Sequence, residues 1–377
     1  MKPIERVRAA MDFRKTDRIP TALGGGPYGV VDELYKKLLK LFSLGDPVQP
    51  YRTGHSISYM DDRVLDCLNT DMRYIYPTLS PSSPSFTGDD ENTFFDAFGQ
   101  VWKRAIPYYF TGEGLLSKID SIEQIESMVH WPDPDDKKWF AQSGERAKWL
   151  RENTDYWITA RMVVSHGPFQ YASDLRGMEN LMIDMMERPE LACALIEKIS
   201  DTYCRLYSNY LKACGEYIDM IELPGDDYAG NKNLIISPGM FREFIKPVVK
   251  RMIDTIRSFN PGIKIMLHSD GAIAPLIPEL IEIGVDVLHP LEPLAATDQA
   301  AIKREYQGKI VFLGGVGITH ALGGSKEGVL NEVARVNKSL APGGGYIFAP
   351  SNHLQADIPP ENVALLFKAA QEFEFDY

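Results

Sequence analysis

The sequence is poor in cysteine, in net positive charge and in long apolar runs. Each of these shortages excludes a class of protein. Only four cysteines occur in 377 residues, and because no two of them form a Cys-x-x-Cys pair, reduced thiols are favoured over disulfides or a thiolate metal site. The 52 acidic residues outnumber the 40 basic ones, and the formal charge of −12 leaves no basic face for nucleic acid or an anionic membrane. No apolar run reaches the roughly 20 residues of a membrane span, and the first residues lack the core of a signal peptide. The sequence therefore predicts a cytoplasmic protein.

The sequence does contain short apolar runs that alternate with segments of helical period, which is typical of βα units and a parallel sheet. The predicted strands are residues 19–23, 72–76, 157–164, 217–223, 263–267, 285–288, 310–313 and 346–349. The predicted helices are residues 31–41, 178–215 (as two helices broken near Pro189), 239–258, 273–284, 298–306, 326–340 and 361–373. We therefore expect an α/β fold, a (β/α)8 TIM barrel, with residues 1–377 in a single domain.

One stretch, between about residues 80 and 150, interrupts the alternation. Ser-Pro repeats at residues 80–84 lead into residues 86–109, which have the pattern of hairpin strands. The stretch is too short and too polar to bury a core of its own. We interpret it as a hairpin-rich excursion inserted in the barrel rather than as a second domain.

Histidines and aspartates cluster where the predicted strands end. In α/β barrels the chemistry lies at the carboxyl ends of the strands, because only there do several strands converge on one open cavity. Four of the seven histidines lie at such ends, namely His166, His268, His289 and His353. A histidine there can also simply bond loop backbone, and Asp226 and Asp227 could cap a helix or fix a turn. We expect these residues and Asp270 to line one cavity.

The His268-x-Asp270 pair is the sharpest signal. Side chains two residues apart on an extended segment face the same way, so both can reach one ion or one substrate. An imidazole and a carboxylate suit a hard or borderline divalent metal such as zinc, and His353 or Glu292 could supply a third ligand. The competing interpretation is a metal-free acid/base pair in which Asp270 orients or polarises a substrate group.

Four segments of the sequence resemble the uroporphyrinogen decarboxylase-like superfamily, and in particular its cobalamin-dependent methyltransferase branch. The segments are residues 5–20, with Glu-Arg-Val and Asp-Arg-Ile-Pro; 225–241, with Gly-Asp-Asp and Ile-Ser-Pro-Gly-Met-Phe; 268–286, with His-Ser-Asp-Gly; and 343–362, with Gly-Gly-Gly-Tyr-Ile. The resemblance implies the same barrel. It also implies a corrinoid carried by a partner protein and a small methylated substrate.

The sequence departs from both chemistries of that superfamily. Uroporphyrinogen decarboxylase proper has an arginine-bearing stretch just after its first strand, whereas residues 24–28 here are Gly-Gly-Gly-Pro-Tyr without a cation. The thiol-methylating members bind zinc through His-x-Cys-Gly and a later cysteine. Here Asp270 stands in the first cysteine position and about Asn352, next to His353, in the second. This harder donor set argues against a thiol acceptor and is compatible with demethylation of an O-methyl compound.

Three functions follow as hypotheses. The first is a corrinoid-linked methyltransferase acting on an O-methyl substrate with a divalent metal such as zinc. The second is a metal-independent decarboxylase or lyase of a small organic acid. The third is a binding or scaffold protein without catalytic activity, and the density of charged residues at the strand ends disfavours this third hypothesis, because buried charge costs stability. The catalytic candidates are Asp226, Asp227, His268 and Asp270; the substrate-binding candidates are His166, Tyr228, His289, Glu292 and Asn352; the metal-ligand candidates are His268, Asp270 and His353.

Overall fold

The structure is a computed structural model of the chain. It describes residues 1–49, 51–52, 56–83, 85–86, 92–105, 108–111, 113–319 and 321–374. No helix within these ranges is long and apolar enough to cross a membrane.

Seven parallel strands form the main sheet, which is curled, with helices packed on it. The strands of the chain are β1 (Met72–Ile75), β2 (Ser85–Phe86), β3 (Thr93–Phe95), β4 (Val101–Ala105), β5 (Tyr108–Thr111), β6 (Trp157–Ala160), β7 (Met220–Glu222), β8 (Lys264–His268), β9 (Val287–His289), β10 (Val311–Leu313) and β11 (Tyr346–Ile347). The order in the main sheet is β1-β6-β7-β8-β9-β10-β11. Because every pair is parallel, all seven carboxyl ends meet at one edge.

The predicted first strand, residues 19–23, is not a regular strand, and this corrects the expectation of eight. Pro20 has no N–H to give to a ladder, and the N–H of Thr21 donates to the carboxylate of Asp71 at 2.8 Å. The segment nevertheless bonds to both edges of the sheet. Thr21 forms a single parallel bridge with Phe348 beside β11, and its carbonyl accepts the N–H of Asp71 beside β1 at 2.8 Å.

A buried ion cluster fixes that segment. Asp71 is fully buried and pairs with Arg6 and, at 2.8 Å, with Arg18. Removing one partner of such a buried pair typically costs about 3–5 kcal/mol, because the remaining charge stays buried. Asp71 therefore holds the chain before residue 24 against the start of β1.

Fourteen α-helices are formed by the described residues, with short 3-10 helices at Lys137–Trp139 and Ala274–Leu276. They are α1 (Pro3–Met11), α2 (Asp32–Leu41), α3 (Asp62–Cys67), α4 (Ile122–Met128), α5 (Ser143–Asn153), α6 (Pro168–Arg176), α7 (Met178–Glu187), α8 (Pro189–Cys214), α9 (Pro238–Met240), α10 (Lys246–Phe259), α11 (Ile277–Ile283), α12 (Gln299–Glu305), α13 (Lys326–Leu340) and α14 (Pro360–Glu372). The predicted helix 239–258 contains a π-helical turn, Phe241–Ile245, between α9 and α10. Its cause is Pro247, which cannot donate to the regular helical ladder.

The predicted excursion contains a four-stranded antiparallel sheet in the order β2-β3-β4-β5. Its strands are joined in succession, for example with Phe94 of β3 opposite Trp102 of β4. Helix α5, which also falls between residues 80 and 150, packs against β1 and β6 and so belongs to the main layer. The excursion therefore ends before residue 143.

Candidate active site

One cavity of about 410 Å³ opens among the loops that follow the carboxyl ends of the strands. That volume suits a small-molecule ligand. Of the seven residues expected to share a cavity, five line this one, namely His166, Asp227, His268, Asp270 and His353. Asn352, a predicted substrate-binding residue, lines it as well. Asp226 and His289 lie behind the wall.

His268 and His289 form a chain of hydrogen bonds that fixes the tautomer of His268. The Nε2 atom of His289 lies 3.0 Å from the carbonyl oxygen of Pro350, and the two Nδ1 atoms are 2.9 Å apart. Because a carbonyl only accepts, Nε2 of His289 carries the hydrogen. Burial and the neighbouring His268 lower the pKa of His289 well below its usual value, so its ring is neutral and its Nδ1 accepts. Neutral His268 therefore donates from Nδ1 and presents a lone pair on Nε2.

That Nε2 atom faces two carboxylates. It lies 4.0 Å from Oδ1 of Asp227 and 3.8 Å from Oδ2 of Asp270. Oδ1 of Asp227 also accepts the backbone N–H of Asp270 at 2.8 Å, and Asn352 donates to Oδ2 of Asp270 at 2.6 Å. Burial raises the pKa of the Asp270 carboxyl to about 6; His268 opposes the rise and Asp227 adds to it. Two carboxyl groups and one imidazole thus converge at the end of β8.

This group fits a divalent cation. The ligand atoms of Asp227, His268 and Asp270 all lie within 4.8 Å of one another. Oδ1 of Asp270 is buried and has no hydrogen-bond partner among the described residues, a condition that a bound cation would relieve. One nitrogen and two carboxylate donors are hard or borderline ligands, which suit Zn²⁺ or Fe²⁺ better than a soft thiolate-preferring ion.

His353, predicted as the third ligand, does not join this group. Its Nδ1 accepts the N–H of Gly29 at 3.0 Å, which leaves Nε2 as the protonated nitrogen of the neutral ring. Burial lowers the pKa of His353 to about 3, with nearby Arg161 acting in the same direction. The geometry places Asp227 in the position that the sequence analysis gave to His353 or Glu292.

Asp226, a predicted catalytic residue, and Tyr228, a predicted substrate-binding residue, lie behind the cavity wall and do not line the cavity. Asp226 is 1% exposed and accepts the backbone N–H groups of Phe169 and Gln170 at the start of α6, at 3.2 and 2.6 Å. The hydroxyl of the fully buried Tyr228 donates to the same carboxylate at 2.9 Å. Burial raises the pKa of Asp226 to about 7. The pair joins the loop after β7 to helix α6.

Two more predicted substrate-binding residues lie outside the cavity. His289 is fully buried and contacts His268 rather than a ligand. Glu292 accepts the N–H of Gly271 at 2.9 Å and thereby holds the turn that follows Asp270. Both act through the residues they position.

His166 also lines the cavity and has a partner that the sequence analysis missed. Its Nδ1 lies 2.6 Å from Oδ2 of Asp174 on α6. Burial lowers the pKa of His166, but Asp174, Asp227 and Asp226 outweigh it, and the net pKa lies above the usual value. The ring also lies edge-on to Trp102, with centroids 5.4 Å apart. His166 therefore holds a proton beside the cavity more readily than an ordinary histidine does.

Two arginines also line the cavity, and neither was singled out in the sequence. Arg161 follows β6 directly, and Arg52 lies in the loop before α3. Both guanidinium groups lie over the ring of Tyr59, at 5.3 and 4.5 Å from its centroid. Below them, fully buried Glu222 accepts the N–H of Gly26 at 2.9 Å.

Comparisons with known proteins agree on one family. The family model described as uroporphyrinogen decarboxylase (URO-D) matches residues 113–373. The Arabidopsis thaliana protein named uroporphyrinogen decarboxylase 2, chloroplastic, is 28% identical over 142 residues, or 37% of this chain and 34% of that protein. Uroporphyrinogen decarboxylase of Chlorobium limicola is 23% identical over 210 residues, or 54% of this chain and 56% of that protein. The chain thus spans 34% to 56% of the length of these two relatives.

A solved structure has the same fold over the whole chain. It is a methyltransferase from Methanosarcina mazei, which matches with a TM-score of 0.65 and 17% sequence identity over 99% of both chains. At this identity the likeness establishes the fold alone.

Proposed function

The chain belongs to the uroporphyrinogen decarboxylase family, as its sequence predicted, and from this premise we propose that it is a methyltransferase. The reaction moves a methyl group between a small O-methyl substrate and a corrinoid carried by a partner protein. We also propose that the segment 19–23 completes an eight-membered barrel around the cavity. The fold shared with the Methanosarcina methyltransferase supports the proposal of a barrel.

The observation that carries the proposal is the lone pair on Nε2 of His268 facing Asp227 and Asp270. Together these three residues would hold a divalent metal such as zinc. When bound, such a cation supplies Lewis acidity toward a substrate oxygen. Oxygen donors in place of thiolates favour an ether over a thiol as the group bound there.

Demethylation of an ether also needs a proton for the departing oxygen. His166 is placed to supply one, because Asp174 at 2.6 Å favours the imidazolium form. Donation from Nε2 of His166 would leave the product as an alcohol and the ring neutral.

Decarboxylation of uroporphyrinogen, the activity for which the family is named, is disfavoured by charge. Uroporphyrinogen bears eight carboxylates, and the described cavity lining offers two cationic side chains, Arg52 and Arg161. The net charge of −12 adds a further barrier to so anionic a substrate.

A second candidate is a metal-independent decarboxylase or lyase acting on a small organic acid. The observation in its favour is the His166–Asp174 pair, which can serve as an acid/base pair without any metal. In that case Asp270, whose pKa is raised to about 6, would be the second titrating group of the cavity.

The test measures metal content and methyl transfer together in His268→Ala. The control is His130→Ala, since His130 is exposed and does not line the cavity. Protein reconstituted with zinc is mixed with reduced cobalamin and a methoxylated substrate, and methylated cobalamin is followed by its visible spectrum. We expect the control to retain both zinc and transfer, and His268→Ala to lose both. Transfer in His268→Ala at the control's rate refutes the proposed role. Lost transfer with unchanged zinc content favours the acid/base alternative.

A further inference from the structure

The cavity has one end of positive charge, which the proposed chemistry does not use. The guanidinium groups of Arg52 and Arg161 both face the ring of Tyr59. Tyr59 in turn stacks on Tyr76 with ring centroids 3.9 Å apart, which holds the Tyr59 ring in place. Burial lowers the pKa of Arg52, and Arg161 contributes in the same direction. Two like charges therefore lie close together in a largely buried place.

Arg161 has donors to spare at this end. It is 7% exposed and has five N–H donors. Among the described residues its hydrogen-bond partner is the carbonyl oxygen of Gly26, at 3.4 Å. No described carboxylate lies within 4 Å of its guanidinium nitrogens. Leaving such a group buried without an anion is costly, which indicates that a ligand supplies the partner.

The nearest buried acid, Glu222, is already engaged. Its oxygens accept the N–H of Gly26 and, at 3.1 Å, the hydroxyl of Tyr28. Burial raises the pKa of Glu222, and Arg161 opposes that rise. Glu222 thus offsets part of the positive charge at long range without filling the hydrogen-bonding sites of Arg161. The hydrogen-bonding sites of Arg161 are therefore left for an anionic ligand.

We propose that the substrate carries a carboxylate and that this carboxylate binds at Arg161 and Arg52. The inference rests on the proposed function in one respect: the substrate is taken to carry a methoxyl group at its other end. A planar guanidinium matches the two oxygens of a carboxylate with parallel hydrogen bonds. A neutral methoxylated compound would leave Arg161 buried without an anion.

The placement also orients the substrate. Arg161 follows β6 and His268 ends β8, two strands farther along the sheet. Strands lie about 4.8 Å apart, so the backbone positions of Arg161 and His268 are separated by roughly 10 Å along the sheet. A carboxylate at one end directs the methoxyl toward Asp227, His268 and Asp270. Phe94 and Trp102 also line the cavity and supply apolar wall for the rest of the molecule.

The experiment compares acids with their amides by isothermal titration calorimetry on the zinc-loaded protein. The probes are methoxyacetate, 3-methoxypropanoate and 4-methoxybenzoate, each beside its neutral amide, and 4-methoxyphenyl phosphate as a second oxyanion. We expect at least one acid to bind roughly tenfold to hundredfold more tightly than its amide, as the loss of a charged hydrogen bond predicts. Arg161→Gln should abolish that preference, and Arg161→Lys should retain part of it.

The control variant is Arg14→Gln, because Arg14 is exposed and pairs with Asp12 outside the cavity. Its acid preference should equal that of the wild type. The melting temperature of each variant identifies loss of folding, and Arg161→Lys then carries the test. Equal affinity for acids and amides, binding of none of the acids, or tighter binding of the phosphate than of every acid overturns the proposal. Methyl transfer from a neutral amide at the rate seen with the acid would support the proposed function and contradict this inference. Binding of an acid without methyl transfer would support this inference and contradict the proposed function.

Discussion

The hydrogen-bond chain behind His268 allows a prediction about a residue that touches no substrate. In His289→Phe the ring volume is nearly kept, but the acceptor for the Nδ1 hydrogen of His268 and the donor for the carbonyl of Pro350 are both removed. His268 is then free to place its hydrogen on Nε2, where it would block metal binding. The variant should therefore bind zinc more weakly although all three candidate ligands remain.

Two magnitudes follow from the geometry. Loss of a residue that orients a metal-binding histidine typically costs about 10- to 100-fold in metal affinity, or roughly 1.4–2.7 kcal/mol. Separately, the buried carbonyl of Pro350 loses its donor, which lowers the free energy of unfolding of the metal-free protein by about 1–3 kcal/mol. Because His289 is fully buried against Tyr28, with ring centroids 4.9 Å apart, the larger phenyl ring adds some packing strain.

The assay separates the two effects. Zinc affinity is measured by competition with a chromophoric chelator. Unfolding is followed with and without zinc, since a ligand that binds only the folded state raises the free energy of unfolding by RT ln(1 + [L]/Kd), where [L] is the free ligand concentration. His130→Ala serves again as the control. If His289→Phe is folded and binds zinc as tightly as the control, the tautomer of His268 is not set by His289 and the reasoning fails.

Two further predictions concern pH and backbone. The pKa of His166 is raised in the folded state, so its contribution to stability is fully present below its ordinary pKa of about 6.5 and is lost as the pH rises through the folded value. Asp174→Asn should therefore reduce the free energy of unfolding more in acid than in alkali, and a denaturation series that shows no such pH dependence contradicts this. Gly271→Ala should lower the free energy of unfolding by about 1–3 kcal/mol, because Gly271 has φ +90° and the new Cβ would lie 2.4 Å from the carbonyl oxygen of Ala229; denaturant titration against wild type measures it.

The regular elements were predictable where one local signal dominated. The run 72–76 became β1, and the break near Pro189 separates α7 from α8, because a proline ring is accommodated only at the start of a helix. The prediction of a regular strand at residues 19–23 was wrong because of a tertiary contact. The side chain of Asp71 takes the N–H of Thr21, and a single-sequence pattern does not contain that contact.

The site was predictable as a place and less so as a set of contacts. His268 and Asp270 were found because strand ends converge on one cavity. Arg161 lay within the predicted strand 157–164 and was not recognised as a site residue. In the structure this strand ends at Ala160, and Arg161 is part of the cavity lining. A cation within an apolar run was the signal available in the sequence. Asp174 lies on a helix, and only the folded chain shows that it reaches His166.

The antiparallel sheet of the excursion has a consequence for how new specificities could arise. Phe94 and Trp102 reach the cavity from one continuous stretch of chain that pairs with itself, whereas His268 and Arg161 come from the main sheet. Exchanging residues 85–111 for another hairpin pair would therefore reshape one wall of the cavity while leaving Asp227, His268, Asp270 and Arg161 in place. The shape of the cavity can thus change during evolution independently of its candidate metal ligands and of its buried arginine.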